Sequence, residues 1–172
     1  SEGTPETMHW DEWLGPCPTA PYHPVYHPAR WRGYWAYGNG TLGDMGCHHL
    51  DLVFWALDLR HPTRIAASGP PAHPQFAPEG VKVEYDFPAR GSQPPVKVTW
   101  YDGNLAAEAF KKAGAQSWGD GSLFIGDKGM LLADYGGYRL LPEDKYKGFV
   151  APAKSIPDSI GHYEEWMQAI RN

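Results

Sequence analysis

The sequence predicts an α+β fold, a mainly antiparallel open sheet of about six strands with helices on one face. Val81-Lys82-Val83-Glu84-Tyr85-Asp86-Phe87 and Val96-Lys97-Val98-Thr99-Trp100-Tyr101 alternate apolar and polar residues, the period of a half-buried strand. Successive strand segments are joined by Gly- and Pro-bearing connections rather than crossover helices, which favours antiparallel neighbours. The composition, with 20 Gly, 17 Pro and many aromatics, supports strands, turns and ordered loops.

The chain has 172 residues, enough for one domain with a real core, and residues 1–172 are read as a single domain. A formal charge of −5 with no basic run removes the electrostatic case for nucleic acid or an anionic membrane surface. The longest apolar run, Leu52 to Leu57, is far below the roughly 18–20 residues of a membrane span, so a soluble chain is expected. Cys17 and Cys47 form no Cys-x-x-Cys pair and are read as free thiols.

Residues 1–40 read as an extended arm. Prolines at 16, 18, 21, 24 and 28 forbid a long helix, leaving room for one short turn around Trp10–Leu14. Its rings, Tyr22, Tyr26, Trp31, Tyr34, Trp35 and Tyr37, are too many for a disordered linker, so the arm is expected to pack on the domain. The first long helix should start at Thr41, because Thr41-Leu42-Gly43-Asp44 has the capping-box pattern, and stop before His61-Pro62. Strands follow at Thr63–Ser68, Val81–Phe87, Val96–Tyr101, Ser122–Gly126, Gly129–Ala133 and Tyr138–Leu141, with Asp127-Lys128 as a tight hairpin. Tyr101-Asp102-Gly103-Asn104 signals a turn, and the poorly patterned Lys- and Ala-containing stretch after it reads as a mobile loop. A last helix follows Pro157-Asp158-Ser159, with Tyr163, Trp166, Met167 and Ile170 spaced i, i+3, i+4, i+7. It and the first long helix should cover one sheet face. The other face is left for an interface. The chain ends at Asn172 without a C-cap glycine, from which a longer natural protein is expected.

Chemistry concentrates in Gly43-Asp44-Met45-Gly46-Cys47-His48-His49-Leu50-Asp51. At about 3.6 residues per turn, Asp44, Cys47, His48 and Asp51 share one helical face while Leu50, Val53, Phe54 and Leu57 line another. A neutral imidazole suits proton transfer near neutral pH, and a carboxylate one turn earlier can orient it or a substrate. A capping carboxylate and a core histidine would use the same residues. His48 and His49 diverge by about 100° and cannot readily share one ion, so no metal is expected. Gly46, in a helix interior, is explained by a close approach of another backbone, a substrate or a cofactor ring, or by a plain helix contact. Gly38-Asn39-Gly40-Thr41-Leu42-Gly43 matches G-x-G-x-x-G, but the preceding Trp31–Tyr37 run is no β-branched strand and the acidic ribose partner is missing.

Trp31-Arg32, a glycine-rich turn and Gly43-Asp44-x-Gly46-x-His48-x-x-Asp51 resemble the C-terminal domain of the Gfo/Idh/MocA oxidoreductases. Trp10–Pro16, Gly43–His48, Pro95–Gly103, Phe124–Gly129 and Gly161–Trp166 are similar, in order, to the pattern of a bacterial branch of that family, covering essentially the whole chain. The resemblance implies a two-domain enzyme in which a Rossmann domain, not among these residues, binds NAD or NADP and carries the family's Glu-Lys-Pro lysine. The present domain would then supply an open sheet, a substrate pocket and often an oligomer interface. It would hold no cofactor alone and be inactive without its partner domain. By the motif match His48 is the acid/base, Asp44 its carboxylate partner and Asp51 a helix support. Trp31, Arg32, Trp35 and His162 are candidates for contacting a sugar or polyol substrate.

Three readings follow: a sugar-directed NAD(P)-dependent oxidoreductase domain; a glycoside-cleaving enzyme using transient oxidation at C3; and a non-catalytic carbohydrate-binding or self-associating module. Homo-oligomers through the open sheet face are expected. The compartment is cytoplasmic by default, unless an export signal precedes these residues.

Overall fold

A computed structural model describes residues 3–115 and 118–172; residues 1–2 of the predicted arm and 116–117 of the predicted loop lie outside it. The elements run α1 (Trp10–Leu14), a 3-10 turn (Arg30–Gly33), α2 (Gly40–Ala56), β1 (Arg64–Ser68), β2 (Lys82–Phe87), β3 (Val96–Tyr101), α3 (Asn104–Lys112), β4 (Ser122–Ile125), β5 (Met130–Ala133), β6 (Tyr138–Leu141), a second 3-10 turn (Glu143–Tyr146) and α4 (His162–Arg171).

The fold is α+β and antiparallel, as expected, but its strands form two sheets, β1-β2-β3 and β4-β5-β6, instead of one. In the first, Ile65 pairs with Tyr85 and Tyr85 with Val98. In the second, Leu123 pairs with Leu132 and Leu132 with Arg139. The division has a visible cause. The segment after β3, expected to be a mobile loop, is helix α3, and its Phe110 is buried with Ala115, Leu132 and Leu141. The second sheet therefore has a core of its own. The first has another, in which Val53 of α2 and Leu59 meet Phe87 and Val98. Phe124 of β4 packs on that cluster, and the Ser122 hydroxyl donates to the His49 carbonyl at 2.8 Å, so the second sheet is fastened to α2.

Three other expectations are corrected. The arm is not extended: Trp10 stacks on Trp13 and Tyr26, and its indole N–H donates to the Ala20 carbonyl at 2.7 Å, folding the segment on itself. The capping box is not formed: α2 begins one residue earlier, after Asn39, with no side-chain cap. The last helix covers no sheet; all ten residues of α4 are exposed, Trp166 at 64%. The outward face of β1-β2-β3 is also not apolar. Alternation puts Val83, Tyr85 and Phe87 inward and Lys82, Glu84 and Asp86 outward, where Lys82 pairs with Glu84 and both Arg64 and Lys97 with Asp86. The apolar-area argument for self-association thus has no footing on that sheet. No helix among the described residues is long and apolar enough to cross a membrane.

Candidate active site

α2 carries both the core and the candidate chemistry because its two faces diverge. Gly46 and Val53 are buried, while Cys47, His48 and Asp51 are exposed and Asp44 is half-buried. Gly46 does not mark an approach by another backbone: a Cβ there would meet first its own helix's Leu42 Cδ1, at 3.1 Å, so the space is closed by the leucines of α2.

The turn before α2 brings the second half of the site. The Trp31 N–H donates to the Tyr26 carbonyl at 2.8 Å, tying the first 3-10 turn to the aromatic cluster of the arm. The chain then folds back so closely that a Cβ on Gly38 would lie 2.5 Å from the Arg32 carbonyl oxygen. Gly40 enters the helix at φ +70°, where a Cβ would also collide with Ala77 Cβ at 2.6 Å. This geometry delivers Arg32 to the start of α2. Its Nε donates to Asp44 Oδ1 at 3.3 Å and lies 3.1 Å from Oδ2, and its guanidinium stands over the Trp31 ring at 4.6 Å. Trp31, Arg32 and Asp44 therefore form one group, and His48 follows Asp44 by one helical turn on the same face.

Trp35 and His162 engage other partners. The Trp35 indole donates to the His73 carbonyl at 2.9 Å and its backbone N–H to the Gln75 carbonyl at 3.0 Å, so the residue anchors the loop that stacks His73 on Phe76. His162 opens the exposed α4, its ring against neighbouring Tyr163. Asp51 lies exposed further along the site face. Cys47 Sγ lies 3.7 Å from the Asp44 carbonyl, a bond within the helix.

Tyr135 was missed by sequence reasoning. It sits in the turn between β5 and β6, and its ring centre lies 6.2 Å from those of both His48 and His49. His49 is in turn 6.2 Å from Trp100, whose indole N–H donates to Asp102 at 3.1 Å. Asp102 is buried and also accepts the Val81 N–H at 2.5 Å. Tyr135 follows His48 by 87 positions, so only the turn signal Asp134-Tyr135-Gly136-Gly137 was available locally.

A cavity of about 950 Å³ opens between α2, β3, α3 and β4. Its wall is mainly apolar, with Val53, Val98, Trp100, Phe110 and Phe124, and of the titratable residues of α2 only His49 borders it. It belongs to the seam between the sheets and not to the Asp44–His48 face.

The glycine-rich segment fails as a dinucleotide cradle. A 3-10 turn with irregular chain, rather than a strand, precedes it, so the strand–turn–helix setting of such a cradle is not formed. What the arrangement offers is an exposed imidazole and, one turn away, a carboxylate anchored by Arg32.

A family model of Gfo/Idh/MocA proteins, described as "Oxidoreductase family, C-terminal alpha/beta domain", matches residues 1–94. That span covers more than half of the chain and includes Trp31, Arg32, Asp44 and His48. Among curated proteins none matches.

Proposed function

Because this chain belongs to the Gfo/Idh/MocA oxidoreductase family, we propose that it is the substrate-binding part of an NAD(P)-dependent enzyme that oxidises a sugar or polyol hydroxyl. The observation that carries this reading is the grouping of Trp31, Arg32, Asp44 and His48 on the exposed side of α2. The nicotinamide supplies a hydride acceptor when bound, and this chain supplies the proton chemistry. His48 takes the hydroxyl proton in oxidation and returns it in the reverse direction. Arg32 fixes Asp44, so that a carboxylate of set position faces the substrate hydroxyls beside the imidazole. Trp31, under the guanidinium, keeps Arg32 from swinging away. Residues 1–172 act as one domain in this reading, and the likeness of Pro95–Gly103, Phe124–Gly129 and Gly161–Trp166 to the bacterial pattern supports that branch.

The test is turnover of the full-length protein on D-glucose, D-galactose, D-mannose and myo-inositol with NAD⁺ or NADP⁺. His48→Ala should lower kcat by about 10²–10⁴-fold, the usual worth of a general acid–base, and leave the unfolding midpoint unchanged because the side chain is exposed. Undiminished turnover in that variant would overturn the role of His48.

A further inference from the structure

We infer that Tyr135 is a substrate-contacting residue of the same site, an aromatic platform supplied by the second sheet. The inference rests on the sugar-oxidising reading above and adds to it a wall and a ligand chemistry, the apolar face of a sugar ring.

Tyr135 is 74% exposed, in a turn that is otherwise tightly fixed. Asp134 Oδ1 accepts the N–H groups of Gly136 at 2.6 Å and Gly137 at 2.9 Å, and the Asp134 N–H donates to the Gly137 carbonyl at 3.1 Å. Those bonds set the turn without help from the tyrosine side chain. The ring is thus held outward by backbone geometry, at no gain to the core. Its position relative to α2 is also determined from a distance. Ser122 grips the His49 carbonyl and Phe124 enters the α2 cluster, so β4 and the hairpin behind it ride with the helix that carries His48. The rings of Tyr135 and His48 meet at 77°, edge to face, an arrangement that leaves both accessible and gives the imidazole a fixed neighbour.

The site then has three borders from three parts of the chain: Trp31 and Arg32 from the turn, Asp44 and His48 from α2, and Tyr135 from the hairpin. A sugar needs polar groups for its hydroxyls and an aromatic face for its C–H groups. The first two borders supply the polar groups, and Tyr135 supplies an aromatic surface free to meet a ligand.

In the full-length protein assayed on the same four substrates, Tyr135→Ala should raise KM by about tenfold, which is about 1.4 kcal/mol and within the reach of one aromatic contact, with kcat changed less than about threefold. Tyr135→Phe keeps the ring and should stay within about twofold of wild type in KM. Both variants should unfold at the wild-type midpoint, since the side chain is exposed. If His48→Ala abolishes turnover while Tyr135→Ala leaves KM unchanged, the assignment of Tyr135 is overturned and the parent reading stands. If the wild-type protein oxidises none of the four, or His48→Ala retains full turnover, the parent reading falls and takes this assignment with it.

Discussion

Replacing Asp102 by Asn tests whether the buried end of β3 is organised around a carboxylate. Asp102 is 6% exposed and accepts two hydrogen bonds, from the Val81 backbone N–H and from the indole N–H of Trp100. An amide of the same shape keeps one acceptor oxygen and turns an NH₂ group toward the other donor. One charge-assisted bond, worth about 1.5–3 kcal/mol, is lost, and the survivor weakens to a neutral bond, for a total of about 2–4 kcal/mol. At about 2–4 °C per kcal/mol for a domain of this length, the thermal midpoint should fall by roughly 4–16 °C. Urea or heat titrations followed by far-UV circular dichroism read the loss as a shift of the unfolding midpoint. A double-mutant cycle locates the fault. In a Trp100→Phe background there is no indole donor to offend, and Asp102→Asn should cost at least about 1 kcal/mol less than in wild type. A cost below about 0.5 kcal/mol in the wild-type background would refute the reasoning, because surface-like substitutions fall in that range.

Arg32→Gln should scarcely change the unfolding midpoint, since the ion pair with Asp44 is exposed to 44% and 38% and such pairs contribute about 0–1 kcal/mol. Its effect should appear in kcat/KM of the full-length protein, and unaltered kinetics would remove Arg32 from the site. Gly40→Ala should destabilise by about 1–2 kcal/mol through the left-handed φ alone, and adding Ala77→Gly should recover only the steric part, as urea midpoints can check. Lys82 beside Glu84, and Arg64 and Lys97 beside Asp86, lower both carboxyl pKa values in the folded chain. That stabilisation is complete above the unfolded carboxylate range and is lost as pH falls through the lowered folded values. The Glu84→Gln, Asp86→Asn double variant should therefore lose less stability in urea titrations taken from pH 7 down to pH 3, a range bracketing ordinary carboxylates at about pH 4. Burial raises the Tyr85 pKa, which favours the neutral phenol in the fold. Its contribution is full below the unfolded phenol value and lost as pH rises through the higher folded one, so Tyr85→Phe should flatten the alkaline fall in stability.

What was legible in the sequence was what depends on near neighbours. The two-residue period of Val81–Phe87 and Val96–Tyr101 gave β2 and β3, and the helical period of Gly43–Leu57 gave α2 with its divided faces. Asp44 and His48 could be singled out because four residues make one helical turn. The capping box failed because Thr41 and Asp44 have the right identities at the wrong register: Gly40 turns the chain one residue earlier, and Arg32, twelve positions away, takes the carboxylate. α3 was hidden by Asp102-Gly103, which reads as a turn but closes β3 through a buried side chain and opens a helix. The division into two sheets depends on where Phe110 finds a core, and the place of Tyr135 on the Ser122–His49 bond. Both are contacts across long sequence separations, which no local period records.

The bond between Ser122 and the His49 carbonyl also bears on how the molecule opens. A helix whose inner face is shared with β3 and whose backbone is held by β4 cannot unwind without disturbing both sheets. The amides of α2, β3 and β4 should therefore exchange with solvent deuterium as one slow unit, near the limit set by global unfolding. The amides of α4, equally helical but with every side chain exposed, should exchange with the ease of an isolated ten-residue helix. Two helices of one chain would then differ by orders of magnitude in protection, and the slow one is the helix that carries His48.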